Sequence, residues 1–466
     1  MTIAAVTLNG AATNLSDADI DGLRGALRGE LIARDGAGYE PARQVWNANI
    51  DRRPALIVRC TGAADVQRAV NFARTHELLL SLRCGGHSAP GYGTNDGGMV
   101  IDLSPMKGIQ VDPAARTVRA QGGVLWREFD HETQAFGLAT TGGTVSNTGI
   151  AGLTLGGGLG WLMGKHGLSI DNLISADVVT ADGQFRTASA TENPDLFWAL
   201  RGGGGNFGAV TSLQYRLHPD GESLSGIVLY PLDQGRDVLR FYRDFCATLP
   251  DEAEAFAGLM THEGAPAVAL LLGYNGPIEA GEKVLAPARQ FGKPMADLVG
   301  PVPYAVRQTL IDEPNAKHGL HRYWRSAFTE RISDALIDRM IEGAARFSSP
   351  LSLIGLFYMH GAATRVPNTA TAFAARKPQW DFDIIGQWTD AAEASGHIGW
   401  VRALWDRLES ELLGTVYINH MMGDDRPERV RASYGENYAR LRELKAVYDP
   451  MNLFRVNANI VPADPD

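Results

Sequence analysis

Glu77-Leu78-Leu79-Leu80-Ser81-Leu82 runs into Arg83-Cys84-Gly85-Gly86-His87-Ser88, and Gly91 follows. An apolar run that ends on two glycines and a histidine reads as a strand delivering a turn. Glycine has no Cβ, so backbone at Gly85 and Gly86 can approach a bulky ligand closely. Amides in such a turn can converge on one anion, and the His87 imidazole then meets whatever that anion is attached to. Read alone, a histidine after two glycines is more often an ordinary turn residue than a ligand. Its surroundings have to decide.

Upstream, Ile20, Leu23, Leu27, Leu31 and Ile32 recur at helical spacing over residues 17–33, with Ser16 as the cap. Ala55-Leu56-Ile57-Val58 reads as a strand, residues 64–75 as a helix and residues 78–83 as a second strand. Met99 to Leu103 and Thr117 to Ala120 are further short strands, and Trp126 to Phe136 is another helix. Short βαβ units with glycine-rich joints point to an α/β ligand-binding region. Residues 141–160 then hold eight glycines, several times the usual density. Strand-like Ala176 to Thr180 closes on the hairpin signal Ala181-Asp182-Gly183. A short helix at Asn193 to Trp198 precedes a third glycine-rich segment, Arg201 to Gly208, and the strand Ala209 to Leu217. Each glycine-rich segment implies backbone held close to something, and a long, flat diphosphate ligand would use all three. Backbone amides can neutralise a diphosphate without a lysine cluster.

From about residue 222 to 410 the texture changes. Strands such as Ala267 to Leu272 and Leu351 to Met359 alternate with amphipathic helices around 233–248 and 333–346. That pattern predicts an antiparallel sheet with helices on one face. The chain ends in a charged helix, Val430 to Lys445, stopped by Tyr448-Asp449-Pro450.

With 466 residues, 45% hydrophobic and 21% charged, the chain reads as globular with two or three domains. Lys and Arg number 43 against 53 Asp and Glu, a net charge of −10. No broad electrostatic reason therefore exists to seek nucleic acid or an anionic membrane. Cys60, Cys84 and Cys246 form no CxxC pair and no disulfide framework, so a reducing compartment is expected and a metal site is not. Residues 1–15 lack a basic segment ahead of a long apolar run, and no run of about 18 apolar residues occurs. The expectation is a soluble, cytoplasmic protein.

Two glycine motifs are rejected on order and spacing. Gly203 to Gly208 contains a formal GxGxxG, but a helix comes before it and a strand after, the reverse of the dinucleotide fingerprint. Gly160 to His166 has the wrong glycine spacing for a phosphate loop and places His166 where Ser or Thr would meet magnesium.

The segments together resemble a known family. Arg83 to Ser88 with Gly91, Asp96 to Ser104, Gly143 to Trp161, Gly167 to Leu173 and Arg201 to Val210 are similar to the cofactor core of berberine-bridge-enzyme-like oxidases, within the vanillyl-alcohol-oxidase superfamily. Tyr434 to Tyr438, Tyr448-Asp449-Pro450 and Phe454 to Ile460 resemble that family's closing segment. The resemblance spans nearly the whole chain, with its motifs in order. It implies an α+β architecture: a two-subdomain FAD-binding domain of the PCMH type and a substrate domain whose antiparallel sheet is covered by helices. Residues 1–220 and the returning segment 413–466 would hold FAD, and residues 221–412 the substrate.

The same resemblance implies roles for residues. His87 would be bonded to the 8α-methyl of FAD. Arg83, Cys84, Gly85, Gly86, Ser88 and Gly91 would bind the cofactor with it, as would Thr148, Gly149, Gly152, Gly156 and Gly158. Gly208, Val210, Asn457 and Asn459 complete that set. Where some members carry a second, cysteine link this chain has Val145, so a single link is expected, and Cys84 reads as a packing residue. Tyr434 matches a tyrosine that acts as base in several relatives; the alternative is an aromatic packing at a helix start. Asn419 matches a strand facing the flavin and would orient the substrate, or else cap a turn. Many relatives carry Gln or Glu where this chain has Gly355, and Tyr358 and His360, sharing one strand face, are possible substitutes. The positions of Gly164 and His166 also depart from the relatives. The implied activity is oxidation of a small organic molecule by hydride transfer to flavin, with O₂ as acceptor and hydrogen peroxide as product. Thr148 also resembles the threonine of oxygenating relatives that act on polyketide-like substrates, and a dehydrogenase using another acceptor is a further alternative.

Overall fold

The computed structural model describes residues 2–464; Met1 and the last two residues of the C-terminal segment lie outside it. Near the N-terminus, Ile3–Val6 pairs with Ala12–Leu15, and Ser16 caps the helix Asp17–Ala26 in a full capping box with Asp19. The single helix expected over 17–33 is shorter than that. Leu27 is extended, and Glu30–Ala33 turns into an edge strand beside Leu56–Arg59. Gly29 explains the stop: a Cβ there would lie 2.0 Å from the Arg59 carbonyl oxygen, so the chain can only pass against that strand.

Leu56–Arg59 and Leu80–Arg83 flank Met99–Asp102 in parallel, and the helix Ala63–Thr75 forms the crossover. A second, antiparallel sheet runs Phe185–Ser189, Leu173–Val179, Ala209–Arg216, Thr117–Gln121, Ile109–Asp112. Ile109–Asp112 is an edge strand that sequence reading passed over, because its alternation is short and half exposed.

The strands of the large antiparallel sheet all fall within residues 222–388. Its long strands run in the order Glu222–Pro231, Ala265–Tyr274, Ala253–His262, Leu353–Met359, Gln379–Trp388 and, at the edge, His321–Thr329. The helices Gly235–Cys246, Ile278–Arg289, Asp334–Ala344 and Ala394–Leu408 pack on one face around Val238, Leu239, Ile337, Met340, Val401 and Leu404. The other face, through Phe256, Leu271, Phe328 and Met359, meets Leu159, Trp161 and Met163 from the second glycine-rich segment. One apolar layer therefore joins the two halves of the molecule. The C-terminal helix expected over 430–445 is two helices, Pro427–Tyr434 and Tyr438–Tyr448, broken at Gly435 with φ of 52°. Among the described residues no helix is long and apolar enough to cross a membrane.

Candidate active site

The three glycine-rich segments converge on one cavity of about 280 Å³. The first two touch backbone to backbone. A Cβ on Gly85 would lie 2.6 Å from the Gly149 nitrogen, and one on Gly149 would lie 2.5 Å from the Gly85 nitrogen. Only glycine permits that approach. Gly208, with φ of 148°, brings the third segment against Val178 and Val179 with no room for a side chain.

Of the residues expected to bind the cofactor, Arg83, Cys84, Gly85, Gly86, His87, Ser88, Thr148, Gly149, Gly152, Gly208, Val210 and Asn457 line this cavity, and so does Asn419. Gly91, Gly156, Gly158 and Asn459 are set back from the wall. Gly91 packs on Ile50, Gly156 on Asn419 and Gly158 on Ser169. Arg83 contributes through its backbone: its guanidinium pairs with the buried Asp102 at 2.5 Å and donates to the Ala42 carbonyl. Asn419 occupies a tight helical turn, Ile418–His420, where a strand was expected. It donates to the Leu153 carbonyl at 2.9 Å and to Tyr417 Oη at 2.7 Å. Tyr417 Oη also accepts from Gly158 N at 2.9 Å, so this turn clamps the second glycine-rich segment.

His87 is half-buried in the wall. Burial first, then the positive charge of Arg322, draws its pKa down to about 3, so the ring is neutral. Its Nε2 is buried with no hydrogen-bond partner among the described residues. Asn457 Oδ1 and Asn459 Oδ1 are orphaned in the same way. Buried polar atoms without partners are costly, and their presence beside a glycine cradle marks a wall built for a ligand. Cys84 is held in the protonated thiol form, burial pushing its pKa up to about 12. Val145 also lines the cavity.

The opposite side of the cavity carries ionisable groups that no sequence motif marks. Asp381 and Asp383, both fully buried, share one face of the strand Gln379–Trp388. His420 Nδ1 lies 2.8 Å from Asp381 and 3.2 Å from Asp383. Asp383 is further held by Trp324 Nε1 at 2.7 Å, and Asp381 accepts from Ser326 Oγ at 3.3 Å. Asp381, His420, Trp324 and Phe357 line the cavity. Burial opposes charging His420, but Asp383 and Asp381 outweigh it and lift its pKa to about 10. Burial and the repulsion of Asp383 raise Asp381 to about 6. The three offer ligand atoms within 4.8 Å of one another, a set that could hold a metal. With its pKa lifted, His420 is an imidazolium within ion-pair distance of two acids. The available signal was two acids at period two in an otherwise apolar strand, Trp380 to Ile385. Gly355 sits directly across from Asp383 in the sheet, so a neighbouring strand supplies the acid that Gly355 lacks.

Tyr434, and Tyr358 and His360 as substitutes for the acid missing at Gly355, lie elsewhere. Tyr434 is set back from the cavity and stacks on Tyr438 at 6.3 Å between centroids; its hydroxyl has no partner among the described residues, and burial raises its pKa. His360 faces away, its Nε2 donating to the Ala253 carbonyl at 3.0 Å and approaching Glu254 at 3.7 Å, with Tyr358 stacked on it. The closing segment is locked from within: buried Lys445 donates to the carbonyls of Asn206 and Phe454 and to Asp449. It thereby ties the third glycine-rich segment to the C-terminal wall.

Residues 54–189 match the FAD binding domain model, and residues 416–461 match the berberine and berberine-like model. (R)-6-hydroxynicotine oxidase of Paenarthrobacter nicotinovorans is 31% identical over 458 residues, 94% of this chain and 97% of the relative. An FAD-linked oxidoreductase of Dictyostelium discoideum is 30% identical over 421 residues, 90% of this chain and 91% of that one. The chain belongs to the berberine-bridge-enzyme-like family. This berberine-bridge-like protein is therefore an enzyme, an FAD-linked oxidoreductase. The crystal structure of 6-hydroxy-D-nicotine oxidase from Arthrobacter nicotinovorans, 29% identical, matches with a TM-score of 0.84 over 94% of this chain and 98% of that chain. The BBE-like 1 protein of Physcomitrella patens, at 21% identity, shares the fold with a TM-score of 0.86 over 96% and 100% of the two chains. FAD fits the residues present: the orphaned His87 and Asn457 atoms offer it polar partners, and the Gly85–Gly149 contact keeps a wall of bare backbone.

Proposed function

We propose that this enzyme oxidises a small organic molecule by hydride transfer to an FAD bonded once, through His87, with Asp381 taking the substrate proton and O₂ receiving the electrons. In this reading residues 1–220 and 413–466 hold the cofactor, and residues 221–412 the substrate. Bound FAD supplies the two-electron acceptor, and O₂ is thereby reduced to hydrogen peroxide.

The observation that carries the reading is that Asp381 and His420 line the same cavity as His87 and the glycine-rich segments. A carboxylate near pKa 6 is mostly ionised at neutral pH yet basic enough to accept a proton from O–H or N–H as the hydride leaves. His420, charged and held by Asp383, steadies Asp381 in place. Asn419 and Tyr417 keep the second glycine-rich segment fixed beneath the substrate, and Trp324 and Phe357 exclude water from one side.

Absorption spectra before and after acid precipitation test the cofactor part. Flavin colour should stay with the wild-type pellet and leave it in His87→Ala; colour that washes out of both refutes the link. Peroxide release compared with reduction of an artificial acceptor tests the use of O₂. Thr148 lines the cavity, so product mass should be read in the same assay: gain of an oxygen atom would favour the oxygenating alternative.

A further inference from the structure

Three rings and a charge are stacked behind the wall. The Trp46 indole lies on the His87 imidazole with centroids 4.1 Å apart and planes 21° from parallel. The Arg322 guanidinium covers the other face of the assembly, 3.7 Å from the Trp46 ring centroid. Neither Trp46 nor Arg322 lines the cavity, so neither can touch substrate there. Arg322 belongs to the strand His321–Thr329 of the large sheet, whereas His87 belongs to the first glycine-rich turn.

Arg322 is built in, not draped. It donates to Gln387 Oε1 at 2.8 Å and to the carbonyls of Trp46, Leu320, Pro314 and Lys317 at 2.6 to 3.3 Å. Its backbone N–H donates to Asn47 Oδ1, and Asn47 Nδ2 returns a bond to the Arg322 carbonyl and another to that of Ala89. Trp46 is fixed too, through Nε1 to the Asn315 carbonyl and through its N–H to the Gly86 carbonyl. An arginine with all its donors used and its face on an aromatic ring is a fixed positive charge. The other groups bearing on His87 are His318, itself beside Arg127 and Arg322, and the Asn147 amide.

We propose that Trp46 and Arg322 are positioning residues for flavin attachment: Trp46 sets the plane of the His87 ring, and Arg322 repels a proton from it. The proposal rests on the reading of His87 as the linking residue. In attachment, a neutral imidazole nitrogen gives its lone pair to a new bond with the 8α carbon of FAD. One hydrogen leaves that carbon and one leaves the imidazole N–H, and with the two electrons released they reduce the cofactor. O₂ then takes both hydrogens and both electrons as hydrogen peroxide. A protonated imidazole has no lone pair to give, so attachment needs the neutral ring.

The test is FAD loading of protein made under riboflavin starvation, from pH 5.5 to 8, read as flavin fluorescence of the denatured band in a gel and as intact mass. Wild type should load at one rate across the range. Arg322→Met should load normally at pH 8 but at least about threefold more slowly at pH 5.5, because without the cation burial is left as the main opposition to a proton on the ring. Arg322→Lys should restore the wild-type profile. Trp46→Leu leaves most Arg322 bonds in place and should slow loading at every pH, while FAD still binds without a covalent bond. Arg322→Met and Trp46→Leu proteins that bind FAD and load like wild type at every pH overturn the proposal. If Arg322→Met fails to fold, a wild-type loading rate in Trp46→Leu overturns it alone. Wild type with no covalent flavin at any pH overturns instead the underlying reading of His87.

Discussion

The two walls of the cavity are made in opposite ways. The wall formed by the turns at 83–88, 144–153 and 204–208 is backbone, with glycines packed so closely that a Cβ at Gly85 or Gly149 would collide with main chain. The wall formed by Trp324, Phe357, Asp381 and His420 is side chain, drawn from four separate segments and holding an acid and an imidazolium side by side. In the proposed reaction the backbone cradle holds FAD and the side-chain wall faces the substrate, so proton transfer and specificity would reside in the second wall.

The sharpest way to break this comparison is to damage each wall and read both functions. Gly85→Val should abolish flavin colour altogether, since the added atoms meet backbone that cannot yield. Asp381→Asn should keep full flavin colour and lower kcat by about 10²–10⁴-fold, the usual worth of a positioned base. Loss of flavin from that variant would mean the two walls are not separable. In wild type, kcat/KM should fall as pH drops through about 6, where Asp381 takes up its proton, and level off above it. Trp324→Phe, which leaves Asp383 without its indole donor, should cost about tenfold in kcat, as loss of one hydrogen bond to a charged group would. The smallest effect lies outside both walls. His166 and His218 stack at 3.8 Å between centroids and are held neutral, their pKa values drawn down to about 3 and about 4, mainly by burial. Their folded values lie below the unfolded one, so stability is full above about pH 6.5 and declines below it. Both rings are partly exposed, so the decline should stay under about 1 kcal/mol per pH unit. Thermal melts from pH 7 to 4.5 should show a shallower fall in His166→Gln.

The first wall was legible in the sequence because its physics is local: glycine density, apolar strands and a histidine in fixed spacing all announce close backbone approach. The second was not. Asp381 and Asp383 meet His420 only because a strand and a turn some forty residues apart are brought together, and no short-range pattern encodes that. Tyr434 shows the same limit from the other side, since a motif position placed it in the site while the break at Gly435 turned it into the core. At 17–33 a helical spacing continued through a strand because Leu31 and Ile32 suit either; the Gly29 contact with Arg59, a tertiary matter, decided it.

The Lys445 clasp bears on the timing of biogenesis. Its bonds join Asn206 to Phe454 across most of the chain's length, and the wall they secure includes Asn457 and Ala458. During synthesis the first glycine-rich turn emerges well before residues 445–458 are made. A nascent chain that stops short of them has the backbone cradle but not the wall that closes it, so the complete cavity forms only once that segment is present.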